Sequence, residues 1–132
     1  MPPVDRPSAS SAPLPEKIGP YQIERKLGQG GMGTVYLGRH EETGQRVAVK
    51  VLPASMARED GFVARFAREI EAMQRVTGEN VVEMYDSGEW EGTYYYSMEF
   101  VEGETLTERL IREKRIGWRE VIDIACQICK AL

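Results

Sequence analysis

Histidine and cysteine are almost missing from this chain of 132 residues, which has one histidine, His40, and two cysteines, Cys126 and Cys129. A secreted scaffold stapled by disulfides needs more cysteine, so a reduced, cytoplasmic setting is expected. Structural zinc takes four ligands, and no second cysteine pair accompanies Cys126-Gln127-Ile128-Cys129. No metal site is therefore expected within the chain. Positive charge is not in excess: 17 basic residues stand against 21 acidic ones, for a net charge of −4. That balance disfavours nucleic acid or an anionic membrane surface as a partner. Long apolar runs are missing too, so no membrane segment is expected here, and no signal peptide is read at the start. Aspartate is sparse, at Asp5, Asp60, Asp86 and Asp123 only.

Glycine, in contrast, is concentrated. The stretch Leu27-Gly28-Gln29-Gly30-Gly31-Met32-Gly33-Thr34-Val35-Tyr36 carries G-x-G-x-x-G-x-V. Glycine lets a backbone turn sharply and lie close to a ligand, and the exposed amides of such a loop suit a phosphate. Rossmann dinucleotide folds use nearly the same spacing, but there the glycines open a helix. Here Tyr21 to Leu27 reads as a strand, Thr34 to Arg39 as a second, and Arg46-Val47-Ala48-Val49-Lys50-Val51-Leu52 as a third, after a turn at Glu41–Gly44. Strand, glycine loop, strand, turn, strand is a β-meander. A dinucleotide-binding oxidoreductase would require a helix directly after Gly33. On the third strand the period of two sets Ala48 and Lys50 on one face and Val47, Val49 and Val51 on the other.

A glycine loop followed by V-A-V-K on the third strand resembles the signature pair of protein kinases. The form Leu27 to Tyr36 is similar to the eukaryotic-like serine/threonine kinases of bacteria. The resemblance covers roughly Ile18 to Leu132, with an α+β fold: a small lobe of five antiparallel strands and one helix over 18–100, then a hinge and the first helices of a large lobe over 101–132. Met1–Lys17, with five of the seven prolines, is expected to be a disordered leader. By resemblance, Gly28 to Thr34 cover the phosphates of ATP, Leu27, Val35 and Ala48 belong to the nucleotide site, with Val35 and Ala48 roofing the adenine, and Lys50 reaches the α- and β-phosphates. In an arbitrary protein Lys50 would be a solvated strand lysine.

Arg58 to Val76 reads as an amphipathic helix with Phe62, Phe66, Met73 and Val76 on one face. Glu69 lies inside that stripe, where a carboxylate is costly unless paired. The family pairs its strand lysine with a glutamate on this helix, which implies a Lys50–Glu69 ion pair, and Arg65-Phe66-Ala67-Arg68-Glu69 matches the family's R-F-x-R-E. A local pair of Glu69 with Arg65 or Arg68 is the plainer alternative, and Glu71 competes for the role but rotates off the stripe. Gly78-Glu79-Asn80-Val81-Val82 departs from the family's His-Pro-Asn-x-Val. Val81 to Ser87 is expected as the fourth strand, Gly88–Gly92 as a turn, and Thr93 to Phe100 as the fifth strand. Met73 and Met84 are expected in an apolar column linking the lobes. Met98-Glu99-Phe100-Val101-Glu102-Gly103 resembles the hinge: Met98 at the back of the adenine pocket, the Glu99 carbonyl and the Val101 amide on the adenine edge, Leu106 beneath the ring.

Leu106–Glu113 and Trp118–Leu132 read as helices, the second with Val121, Ile124, Ala125, Ile128 and Leu132 on an apolar face. Cys126 and Cys129 fall well inside it, unlike a redox pair at a helix start, and are expected as small core residues. None of the four aspartates stands in a His-Arg-Asp or Asp-Phe-Gly context, so the catalytic base and the magnesium ligands are expected outside this chain. The resemblance implies transfer of the γ-phosphate of Mg-ATP to serine or threonine hydroxyls. Its implied partners are ATP, protein substrates and a second kinase domain, and kinases of this kind often carry a membrane span far downstream. The competing function class is a non-catalytic fragment that acts as a nucleotide-binding or docking module. Without further large-lobe helices, the apolar face of Val121 to Leu132 is expected to be partly exposed.

Overall fold

A computed structural model describes residues 13–132. In chain order the elements are β1 (Lys17–Ile18), β2 (Tyr21–Gly30), β3 (Gly33–His40), β4 (Arg46–Val51), a 3-10 turn (Met56–Arg58), α1 (Phe62–Arg75), β5 (Met84–Trp90), β6 (Thr93–Glu99), α2 (Leu106–Glu113) and α3 (Trp118–Ala131). The strands form one antiparallel sheet in the order β1-β2-β3-β4-β6-β5. The fold class is α+β, as the composition of elements implied, with one strand more than expected.

The extra strand is β1, two residues long, folded back onto Tyr21 and Gln22 through Gly19-Pro20. A two-residue strand carries no alternation to read. Gly19 has φ +56, and a Cβ there would lie 2.3 Å from the Tyr95 hydroxyl, so both conformation and space demand glycine. Lys17 thus belongs to the sheet rather than to a leader; residues 1–12 of that expected leader lie outside the described residues.

The glycine stretch is a hairpin rather than an open loop. The ladder continues through Gly28↔Val35, Gln29↔Thr34 and Gly30↔Gly33, which leaves Gly31-Met32 as the turn. Main-chain pairing needs no side chain, and a register shift between Lys26 and Gly28 absorbs the irregularity. Because β3 begins at Gly33, no helix follows the glycines, and the dinucleotide reading is overturned.

β5 starts and ends later than expected. Gly88 lies within the strand, because Tyr95 on the neighbouring strand occupies the space where a side chain would go, its hydroxyl 2.9 Å from a Cβ built there. The reversal is instead a two-residue turn, Glu91-Gly92, with φ of 49° and 80°, the positive values that suit a tight hairpin. α1 starts at Phe62, after left-handed Gly61, and the preceding Met56–Arg58 is the 3-10 turn.

The alternation along β4 sorts the sheet into two faces. Val47 and Val49 pack with Ile18, Tyr21 and Tyr95 in the buried core, flanked by Ile23, Tyr36, Val51 and Trp90. Inside it the Tyr21 and Ser97 hydroxyls meet at 2.7 Å. Burial pushes the Tyr21 and Tyr95 phenols above their ordinary range. The opposite face carries the candidate site.

α2 is opened by a reciprocal cap: the Glu108 amide donates to Thr105 Oγ1 at 3.1 Å, and the Thr105 amide donates to Glu108 Oε2 at 2.6 Å. One ion pair ties α2 to α3, Arg109 to Glu120 at 2.6 Å; Arg109 also reaches Glu113 at 3.1 Å within α2, and Arg112 pairs with Glu113 and with Glu104 just ahead of the helix. The apolar face of α3 is open, with Val121 49% and Ile128 53% exposed. Cys126 and Cys129 are also exposed and free, contrary to the expected core placement, because nothing in the described chain packs over them. No described helix is long and apolar enough to cross a membrane.

Candidate functional site: the glycine hairpin, Lys50 and the segment after β6

Register places four of the expected site residues, Val35, Ala48, Lys50 and Met98, on one face. Val35 lies opposite Lys50 and Leu37 opposite Ala48, while across the next ladder Ala48 faces Met98 and Lys50 faces Tyr96. Directly opposed residues of antiparallel strands share a face, so Val35, Leu37, Ala48, Lys50, Tyr96 and Met98 project together. Met84, opposite Met98, joins them.

α1 lies over the same face because of aromatic contacts. Phe62 and Phe66 stack at 5.7 Å, and both reach the Tyr94 ring, at 5.4 and 5.2 Å. Tyr94 precedes Tyr96 by two residues on β6 and therefore projects from the site face. Ile70, one turn beyond Phe66, is buried and completes the stripe. Met73 borders a cavity between α1 and the sheet, whereas Val76 follows the last helical residue and is 52% exposed.

Two cavities take residues from this face. One, of about 370 Å³, is walled by the sheet and α1, and its lining includes Met32, Lys50, Phe66, Glu69, Ile70 and Tyr96. The other, of about 540 Å³, lies against the segment after β6 and includes Leu27, Ala48, Met98, Glu99 and Val101. Leu106 lines neither. It sits at the start of α2, where it lines a separate cavity with Leu110, Val121 and Ile124 and is 46% exposed.

Lys50 and Glu69 border one cavity without pairing. Among the described residues neither enters an ion pair; the lysine ammonium stands over the Tyr96 ring, 5.9 Å from its centre. The local alternatives for Glu69 are not formed either. Arg65 pairs with Glu59 at 3.2 Å, and Glu71 is taken by Arg75 at 2.6 Å. The cavity therefore holds one cation and one carboxylate with no ionic partner among the described residues.

The glycines differ in what they need. Gly33 has φ +122, and a Cβ on it would come within 2.1 Å of the Val51 carbonyl oxygen; the hairpin presses its base onto β4 there. At Gly28 and Gly30 a Cβ would meet nothing within 4 Å. The space beside those two Cα atoms is open.

At the end of β6, the Glu99 amide donates to the Glu83 carbonyl at 2.7 Å, and the Glu99 carboxylate accepts from the Glu83 amide at 3.2 Å. Arg46, at the start of β4, holds the next residues: it pairs with Glu102 at 3.2 Å and Glu24 at 3.7 Å, and its guanidinium lies 5.5 Å from the centre of the Phe100 ring. No group of three or more His, Cys, Asp or Glu side chains able to hold a metal occurs among the described residues. Of the described aspartates, Asp60 precedes α1, Asp86 is on β5 with its carboxylate accepting from the Ser87 amide at 2.8 Å, and Asp123 is on α3.

Tyr94, Tyr96 and Arg46 were not among the expected site residues. The alternation that grouped Ala48 with Lys50 also groups Tyr94, Tyr96 and Met98, so the two tyrosines had a readable signal. Arg46 had none, since its contacts join three segments distant in sequence.

A family model described as protein kinase domain matches residues 21–132. Among curated proteins, the serine/threonine-protein kinase PrkC of Bacillus subtilis is 38% identical over 114 residues, covering 86% of this chain and 18% of that protein. The serine/threonine-protein kinase PknJ of Mycobacterium tuberculosis is 37% identical over 112 residues, covering 85% of this chain and 19% of its own length. The chain thus spans less than a fifth of these relatives. Among solved structures, the kinase domain of Mycobacterium tuberculosis PknI superposes with a TM-score of 0.78 at 31% identity, over 89% of this chain and 49% of that one. A match that begins at the first residue of β2 and runs through α3, carried by a shared fold as well as by shared residues, makes this chain a member of the protein kinase domain family, with bacterial serine/threonine kinases as its relatives.

Proposed function

We propose that the chain forms the ATP-binding part of a serine/threonine protein kinase. The observation that carries this is the common face of Val35, Ala48, Lys50 and Met98, with Lys50 and Glu69 bordering one cavity beside it. ATP lies with its adenine between Ala48 and Val35 and the segment after Met98. The Glu99 carbonyl and the Val101 amide meet the adenine edge. The hairpin from Gly28 to Thr34 covers the phosphates, and Lys50 sets its charge on the α- and β-phosphate oxygens. Glu69 orients the lysine once α1 brings it within reach. Such a site acts by positioning and charge neutralisation, so that the γ-phosphorus leaves its bridging oxygen for a protein serine or threonine hydroxyl. Among the described residues no group of three or more His, Cys, Asp or Glu side chains could hold a metal, so the magnesium ligands of such a kinase are expected outside this chain. ATP and protein hydroxyls as reactants fit a cytoplasmic setting.

The test is ATP titration of the 132-residue chain, followed by amide resonances and calorimetry. Shifts should centre on Gly28–Val35, Ala48 and Val101, and Lys50→Met should weaken binding about 10-fold or more, as the loss of a charged phosphate contact predicts. Labelled γ-phosphate should bind without turnover, because no described aspartate stands near Lys50 in a His-Arg-Asp or Asp-Phe-Gly context. Shifts confined to α2 and α3, or none, would reject the nucleotide reading in favour of a docking module.

A further inference from the structure

Lys50 and Tyr96 are direct cross-strand partners, and the hydrogen bond from the Leu52 amide to the Tyr94 carbonyl, at 2.9 Å, fixes the phase of that ladder. Their proximity is therefore set by the sheet and does not depend on where α1 lies. The tyrosine is half-buried in the wall of the cavity that Lys50 and Glu69 share, and the ammonium stands over its ring. Of the other charges around that cavity, Glu59 and Arg65 are spent on each other. An electron-rich ring face within about 6 Å attracts a cation electrostatically.

We propose that Tyr96 is a positioning residue for Lys50: its ring seats the ammonium on the cavity side of the sheet while Glu69 stands out of reach, so the lysine meets phosphate already oriented. This rests on the nucleotide reading above. The ring acts through the lysine and touches no phosphate. As α1 moves, the ammonium passes from ring to carboxylate by a small swing of its methylenes, with the backbone of β4 held still.

The test uses the 132-residue chain with Tyr96 unchanged, with Tyr96→Phe, with Tyr96→Leu, and with pentafluorophenylalanine at position 96. The fluorinated ring keeps shape and volume but reverses the charge on its face, which separates the cation contact from packing if Tyr96→Leu fails to fold. The first readout is the ring-current displacement of the Lys50 ε-methylene resonances. It should be upfield in the unchanged chain and in Tyr96→Phe, and lost with leucine or the fluorinated ring. The second is ATP affinity, expected to fall about 3- to 10-fold where the displacement is lost and to hold in Tyr96→Phe. An undisplaced Lys50 in the unchanged chain overturns the seat. A displacement lost with no change in affinity overturns the positioning role. If the unchanged chain binds no ATP while the displacement follows the ring as described, the nucleotide reading fails and the seat stands.

Discussion

The sheet and the α2–α3 pair are held together by different means. The sheet buries Val47, Val49, Tyr21 and Tyr95 around a satisfied hydroxyl pair, while α2 and α3 contain no buried residue and share one ion pair, Arg109–Glu120, at the surface. One region owns its core. The other presents amphipathic faces whose apolar side finds little to cover it within the described chain. Cooperative stability should therefore reside in the first region, and geometry in the second should depend on its surroundings.

The sharpest way to break this contrast is to make one substitution in both regions. Leu37, on β3, is 1% exposed, and Leu110, on α2, is 43% exposed. Leu37→Ala should cost about 2–5 kcal/mol in denaturant unfolding, and Leu110→Ala about 1 kcal/mol or less. Equal costs would mean that α2 and α3 share the cooperative unit of the sheet.

A smaller effect concerns the core hydroxyls. Tyr21→Phe removes the 2.7 Å contact to Ser97, leaving that buried hydroxyl only the Asp86 carbonyl at 3.4 Å, and should cost about 1 kcal/mol. Burial first, then the nearby Asp86 charge, raises the Tyr95 phenol; for Tyr21, burial also outweighs its bond to Ser97. A folded value above the unfolded one favours the folded state while the phenol is protonated. That contribution is full below about pH 10 and is lost as pH climbs through the raised folded values. Thermal melts from pH 8 to 11 should show the loss, and Tyr21→Phe should flatten it.

The smallest effect separates the regions by screening. Raising salt to about 1 M shortens the reach of surface charges to roughly 3 Å. Amide exchange in α2 and α3 should then quicken, while β4 and β6 stay protected. Uniform behaviour across both regions would erase the distinction.

The meander, α1, α2 and α3 were legible because alternation and helical periodicity are local signals. The grouping of Ala48 with Lys50 was legible for the same reason, and the ladder extends it to Met98. Harder features depended on tertiary contact. β1 is too short to have a period. Gly88 reads as a turn residue until Tyr95 is known to lie over it. Cys126 and Cys129 fall on a helix that reads as partly apolar, but burial requires a second surface, which the sequence of one helix does not announce. The separation of Lys50 from Glu69 depends on how far Phe62 and Phe66 let α1 approach Tyr94, a matter of packing rather than pattern.

The glycine hairpin has a mechanical consequence. It is a cantilever: its root at Gly33 is clamped on the Val51 carbonyl, and its free end at Gly31-Met32 is loaded by nothing on the side of Gly28 and Gly30. Bulk added at the root would jack the whole beam off β4, whereas a methyl added near the free end would leave the beam in place and alter only what it presses upon. Strain at the clamp and stroke at the tip can thus be tuned by different residues of the same ten-residue ribbon.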